Sequence, residues 1–133
     1  MRIFATSVIA LWMLVGGIAH LVTPEFFFQI VPEVFPKLFV VYLSGLVEIA
    51  IGAAILVPKL RAIAGLCFAL LCLGFLPLHV WDFFRPDPVF EVPSAASIRI
   101  LVQFGLIGLG LYLWRAGPRQ NKTEAARVEP PTE

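Results

Sequence analysis

Four apolar runs, Ile3–Val22, Leu38–Val57, Ala62–Trp81 and Ile98–Trp114, each about 17–20 residues long, leave this chain few ways to fold. A helix rises about 1.5 Å per residue, so about 20 residues cross a hydrocarbon core of about 30 Å. The runs are continuous rather than alternating, which points to helices. In lipid, moreover, every backbone polar group must find its partner within protein. The expected fold class is all-α: a four-transmembrane-helix bundle with interfacial outer loops. Composition agrees, with 59% of the 133 residues hydrophobic and 14% charged. A soluble domain runs near about 45–50% and 25%, and a globule this small could not bury the excess.

The punctuation fits. Thr23-Pro24 follows the first run, Val31-Pro32 and Phe35-Pro36 precede the second, and Pro58-Lys59-Leu60-Arg61 makes a tight turn between the second and third. Pro86, Pro88 and Pro93 predict an irregular stretch before the fourth run, because proline cannot continue a helix interior. The length suits one domain, residues 1–115. After Trp114 the chain turns polar, and residues 116–133, with Pro118, Pro130 and Pro131, are expected to form a disordered cytoplasmic tail. The first run also has features of a signal peptide, namely Arg2 and the small residues Gly17 and Ala19. It is longer than a usual signal core, and His20 continues its helical face, so it is read as a retained helix.

Lysine and arginine set orientation. Arg2, Lys59, Arg61, Arg115, Arg119, Lys122 and Arg127 fall on one side, and Lys37, Arg85 and Arg99 on the other. Both termini and the short turn are therefore expected in the cytoplasm of a plasma-membrane protein. The connections Thr23–Lys37 and Asp82–Ser97 then face outward. They are crowded with apolar residues, including Phe26, Phe27, Phe28, Phe83, Phe84 and Phe90. Two readings stand: segments anchored at the membrane interface, or a hydrophobic lid over a ligand cavity. The net charge of +1 gives no dense basic surface for nucleic acid, so the expected partner is the lipid bilayer.

Polar residues inside the spans need a reason, since a charge at the bilayer centre costs about 2.5–3.5 kcal/mol on insertion scales. Glu48 falls in the middle of the second run, with Ser44 and Gly52 one turn away on the same face. In a bundle of alternating direction, His20 ends the first helix, His79 and Asp82 end the third, and Arg99 and Gln103 open the fourth. His20, Ser44, Glu48, His79, Asp82, Arg99 and Gln103 thus form the candidate ligand-binding or polar cluster in the outer half. Arg99 is the expected partner of Glu48 or Asp82, because a guanidinium binds a carboxylate bidentately. Such a cluster serves either to fix helix packing or to bind a ligand or move protons. Two histidines alone make a weak case for haem, and no metal site is read. Trp81 and Trp114 read as interfacial anchors, and Gly105, Gly108 and Gly110 as sites of close helix contact.

Cys67 and Cys72 lie five apart in one run, which on a helix separates their Cα atoms by roughly 8–9 Å. A disulfide needs less than about 7 Å, so they are expected to stay free and buried.

The ordered pattern Gly17-x-x-His20-x-x-x-Pro24, Pro32, Leu43-Ser44-Gly45-x-x-Glu48, Pro58, Phe75-x-Pro77-x-His79 and Arg99-x-x-x-Gln103 resembles the DoxX-like family of four-helix integral membrane proteins. The resemblance covers about residues 3 to 115. It implies a bundle in a bacterial-type inner membrane, in a family whose name comes from a subunit of a thiosulfate:quinone oxidoreductase. Other members are described as parts of membrane redox complexes. His20, Glu48, Arg99 and Gln103 match the family's polar positions, whereas position 79 is often asparagine in similar sequences. The paired cysteines of the thiol-redox relatives are absent, so direct dithiol chemistry is not expected.

The leading expectation is a subunit of a membrane redox complex that holds a quinone or another apolar ligand at the polar cluster. The alternatives are a non-catalytic scaffold or partner subunit, and a membrane enzyme acting on a lipid-like substrate with Glu48 and His20 as acid and base. A polar-lined cavity favours binding or catalysis; a fully paired network favours the scaffold. The sequence leaves catalytic residues, partner subunits and any homo-oligomer unspecified.

Overall fold

The computed structural model describes residues 1–86, 88–89 and 93–128, without the side chains of 93, 94, 96 and 118–128. Its elements are α1 (Arg2–Val22), a short 3-10 helix η1 (Pro24–Ile30), α2 (Lys37–Leu56), α3 (Arg61–Phe84) and α4 (Pro93–Val128). Helices α1, α2 and α3 and the segment Ser97–Gly117 of α4 are each long and apolar enough to cross a membrane. This is the arrangement of a multi-pass membrane protein, and the all-α four-helix bundle expected from the sequence is present.

Each span buries one narrow seam. On α1, Ala5, Ile9, Met13 and Gly17 recur every fourth residue. On α2, Val41, Gly45, Glu48, Gly52 and Ile55 alternate steps of four and three. Gln103, Leu106, Gly110 and Leu113 do the same on α4. Steps of three and four keep a seam on one face of an α-helix, as in coiled coils. The remaining faces are apolar and exposed, among them Phe4, Leu11, Ile18, Leu46, Leu70 and Phe104. An exterior of this kind suits lipid rather than water.

Packing is closest in two antiparallel pairs, α1 with α2 and α3 with α4. Glycines set both crossings. A Cβ on Gly17 would stand 2.7 Å from the Gly45 carbonyl oxygen, and one on Gly110 would stand 2.7 Å from that of Gly65. Small residues that let backbones meet are a common means of joining helices in lipid. Of the glycines expected to do this on α4, Gly110 does so. Gly105 and Gly108 face away, where a Cβ would meet nothing within 4 Å.

The pairs are tied at one end by the α2–α3 turn. There Arg61 folds back and donates from Nε to the Ile55 carbonyl at 3.2 Å. It thus satisfies one of the carbonyls that a helix C-terminus leaves open. At the other end, residues 85, 86, 88 and 89 are irregular as expected, and Phe90 and Val92 lie outside the described residues. Pro24 opens η1, and Pro93 opens α4 at the first helical position, where its missing N–H costs nothing.

The segment after Trp114 continues α4 to Val128. Its Ala116, Gln120, Lys122, Ala125, Ala126 and Arg127 are good helix formers. Cys67 and Cys72 are both free as anticipated, but only Cys72 is buried; Cys67 lies on the exposed face.

Gly17→Val should lower stability by roughly 1–3 kcal/mol, because the tight α1–α2 crossing has no room for the side chain. Gly105→Ala and Gly108→Ala should leave it unchanged or slightly higher. Thermal unfolding in detergent distinguishes these, and equal losses at all three positions would contradict the crossing.

Candidate functional site

Glu48 is the centre of the half of the bundle that carries η1. Its residue is 4% exposed, and α2 turns it into the bundle, between the helix pairs. Ser44, one turn before it, donates its hydroxyl to Glu48 Oε1 at 3.3 Å. His20, from the last turn of α1, brings Nδ1 to 3.5 Å from the same oxygen. That distance is too long for a hydrogen bond. The other carboxyl oxygen lies in a notch left by Gly16, where a Cβ would come within 2.7 Å of Oε2. Gly45 admits His20 in the same way, since a Cβ there would stand 2.8 Å from the histidine Cβ. The glycines that close the α1–α2 crossing therefore also position its polar side chains.

These groups line a cavity of about 150 Å³ between the helices. His20, Ser44 and Glu48 come from the first pair, and His79 and Arg99 from the second. Apolar walls are supplied by Phe27, Ile30, Val41, Phe75 and Leu78. Phe27 covers the site from η1, its ring centroid 3.8 Å from that of His20 at an angle of 44°. The Nδ1 atoms of His20 and His79 are both buried, and neither has a hydrogen-bond partner. A wider, open groove of about 630 Å³ among Gln29, Glu33, Lys37, Trp81 and Arg85 adjoins it at Val31 and is lined by none of the seven cluster residues.

Two of the seven expected residues are used elsewhere. Gln103 donates from Nε2 to the Cys72 carbonyl at 2.6 Å, a buried tie between α4 and α3. Asp82 is 2% exposed and pairs with Arg85, one turn on in its own chain, at 2.9 Å. It also accepts the Val89 N–H at 3.0 Å. Asp82 is thus held by Arg85, and Glu48 is approached by His20 and Ser44. The reason is local geometry: an i, i+3 pair on a helix end needs no long reach.

Arg85 was not among the expected site residues, yet it joins the segments at the η1 end. Besides Asp82 it donates from Nη1 to the Gln29 carbonyl at 2.7 Å, and its guanidinium stands 5.1 Å from the centre of the Trp81 ring. A cation over an indole face is a favourable contact. The spacing of Asp82 and Arg85 was the available signal. Phe27 gave none, because nothing in the sequence tells which of three successive phenylalanines turns inward.

Among the described residues no group of three or more His, Cys, Asp or Glu side chains is placed to hold a metal ion. The fold and site thus define a four-span helical bundle with a small, polar-lined cavity between its helix pairs. A family described as a Domain of unknown function (DUF8561) matches residues 9–113, and the chain belongs to that family. All seven cluster residues fall within the matched stretch. No curated protein and no solved structure matches the chain.

Glu48 and His20 should be energetically coupled. In a double-mutant cycle of Glu48→Gln and His20→Leu, read by thermal unfolding, the combined loss should differ from the sum by roughly 0.5–3 kcal/mol. Glu48→Gln combined with Asp82→Asn should be additive, because Asp82 is held by Arg85.

Proposed function

We propose that this chain is a DoxX-like inner-membrane protein whose outer cavity binds the ring head of a quinone or a similar apolar amphiphile, in the service of a membrane redox complex. The observation that carries the reading is the cavity itself, apolar in its walls and polar at one level, with two buried histidine nitrogens whose hydrogen-bonding capacity the protein leaves unused. A network built only to fix packing would be expected to satisfy its own buried polar atoms.

Size narrows the choice of ligand. A cavity of about 150 Å³ is of the order that accepts a single benzene-sized ring, whereas sites for whole drug-sized molecules run to roughly 300–1,000 Å³. The bound part is then a head group, with any chain left among the lipid tails. Ionisable groups within a span are functional candidates by default, and Glu48 is the deepest of them. The charge bias places both termini in the cytoplasm and the cavity in the outer leaflet.

Protein purified from its native membrane should carry quinone in excess of the membrane's own quinone-to-lipid ratio, measured by mass spectrometry of an organic extract. Val41→Phe, which fills the cavity from a residue 2% exposed, should remove that excess while the protein stays folded. A quinone content equal to bulk lipid in both proteins would sink the proposal. For orientation, a cytoplasm-dependent reporter should be active after Trp114 or within Pro58–Arg61 and silent within Asp82–Ser97. Activity at the last site would invert the topology.

A further inference from the structure

The polar lining of the cavity is uneven, and that unevenness says more about an occupant than volume does. The wall from the first pair carries the Glu48 carboxyl, and the facing wall carries His79 and Arg99. An ionised carboxyl offers about four lone-pair sites, and at Glu48 the Ser44 hydroxyl takes one of them. His20 Nδ1, beside the same carboxyl, is buried without a hydrogen bond. Around this wall stand two aromatic rings, Phe27 and Phe75, with Val41 and Leu78. A guest that presents only carbon to this wall would keep the carboxyl from water and give it nothing in return. That is costly for a buried polar group. A guest with a hydroxyl would donate to it.

We propose that the cavity selects a hydroxylated aromatic ring, a phenol or hydroquinone head group, whose O–H donates to the Glu48 carboxyl beside His20 while the ring lies among Phe27, Val41, Phe75 and Leu78. This rests on the cavity being a ring-binding site and adds the chemistry required at the rim of the ring. Hydrogen bonds from a hydroxyl to a carboxyl group are short and strong. A site built to bind a hydroxyl rejects the analogue lacking it far more strongly than an apolar site rejects a missing methylene. The reduced form of a quinone carries that donor. The oxidised form carries acceptors alone.

The full chain in lipid discs is titrated with 4-ethylphenol and with 4-ethyltoluene, which has nearly the same shape and no hydroxyl. Affinity is read from the rise in thermal midpoint with ligand concentration, against Val41→Phe as the filled-cavity reference that absorbs any effect of partition into lipid. The phenol should bind roughly tenfold tighter or more, and Glu48→Leu should reduce that preference to about twofold or less. Equal affinity for the two probes in the native protein overturns the inference, as does a preference that survives Glu48→Leu. If Glu48→Leu does not fold, the comparison in the native protein decides alone. Duroquinone and its hydroquinone separate this inference from the broader reading. Binding of the hydroquinone and the phenol without duroquinone supports the donor rule and removes the oxidised quinone as a ligand. Equal binding of duroquinone and its hydroquinone keeps the quinone and overturns the donor rule. Binding of none of the probes overturns both.

Discussion

The half of this bundle that carries η1 is organised around one carboxyl group that hydrocarbon will not accept. Glu48 sits in the middle of a helix whose other faces are apolar, so the helix has one acceptable rotation, with that residue turned inward. Inward rotation alone leaves the group short of partners. Ser44 supplies one from the same helix, and α1 supplies another by bringing His20 alongside. His20 would not reach if the helices stood at an ordinary separation of about 8–10 Å with side chains between them. Gly16, Gly17 and Gly45 remove those side chains at the level where the carboxyl and imidazole must fit.

The same economy of side chains explains why a cavity exists. Within each helix pair, glycine meets backbone: Gly17 against Gly45, and Gly65 against Gly110. Between the pairs the facing residues at the level of the cavity are larger and of mixed character, with Val41, Ser44 and Glu48 opposite Phe75, Leu78 and His79. Branched and aromatic side chains do not close on one another as glycine closes on a carbonyl. A void remains where polar groups interrupt what would otherwise be a continuous apolar core, such as the one Ile9, Ile55, Phe68 and Leu113 fill nearer the other end.

Most of the fold was legible because lipid narrows the choices. Continuous apolar runs of the right length can only be helices, and a polar residue in such a run must face protein. That logic found Glu48, His20, Ser44, His79 and Arg99, which do line one cavity. It failed where placement depends on contacts far apart in sequence or on local competition. Arg85 appeared as one charge among three on the outer side, because its bond to Gln29 spans 56 residues. Asp82 and Gln103 lie on the expected faces, but each finds a nearer partner than the cavity, Arg85 and the Cys72 carbonyl. The polar tail continues α4. Low hydrophobicity argues against a packed core, yet it does not stop an established helix from continuing through alanine, lysine and glutamate.

The position of the cavity relative to the connections gives the two pairs unequal freedom at their two ends. At the end away from η1 the pairs are joined covalently by the short turn, and Arg61 locks that turn to the end of α2. At the cavity end, η1 belongs to the first pair and Arg85 to the second, and the bond from Arg85 to the Gln29 carbonyl links them. Arg85 is itself braced by Asp82 and Trp81, so its direction is set before it reaches η1. Phe27 rides on η1 and covers His20. A single hydrogen bond contributes on the order of 1 kcal/mol net, while the glycine crossings within each pair involve whole helix faces. The seam between the pairs, rather than either crossing, is therefore where the half that carries η1 can yield. A ring entering from the lipid would meet that seam with the polar wall already assembled on one side of it.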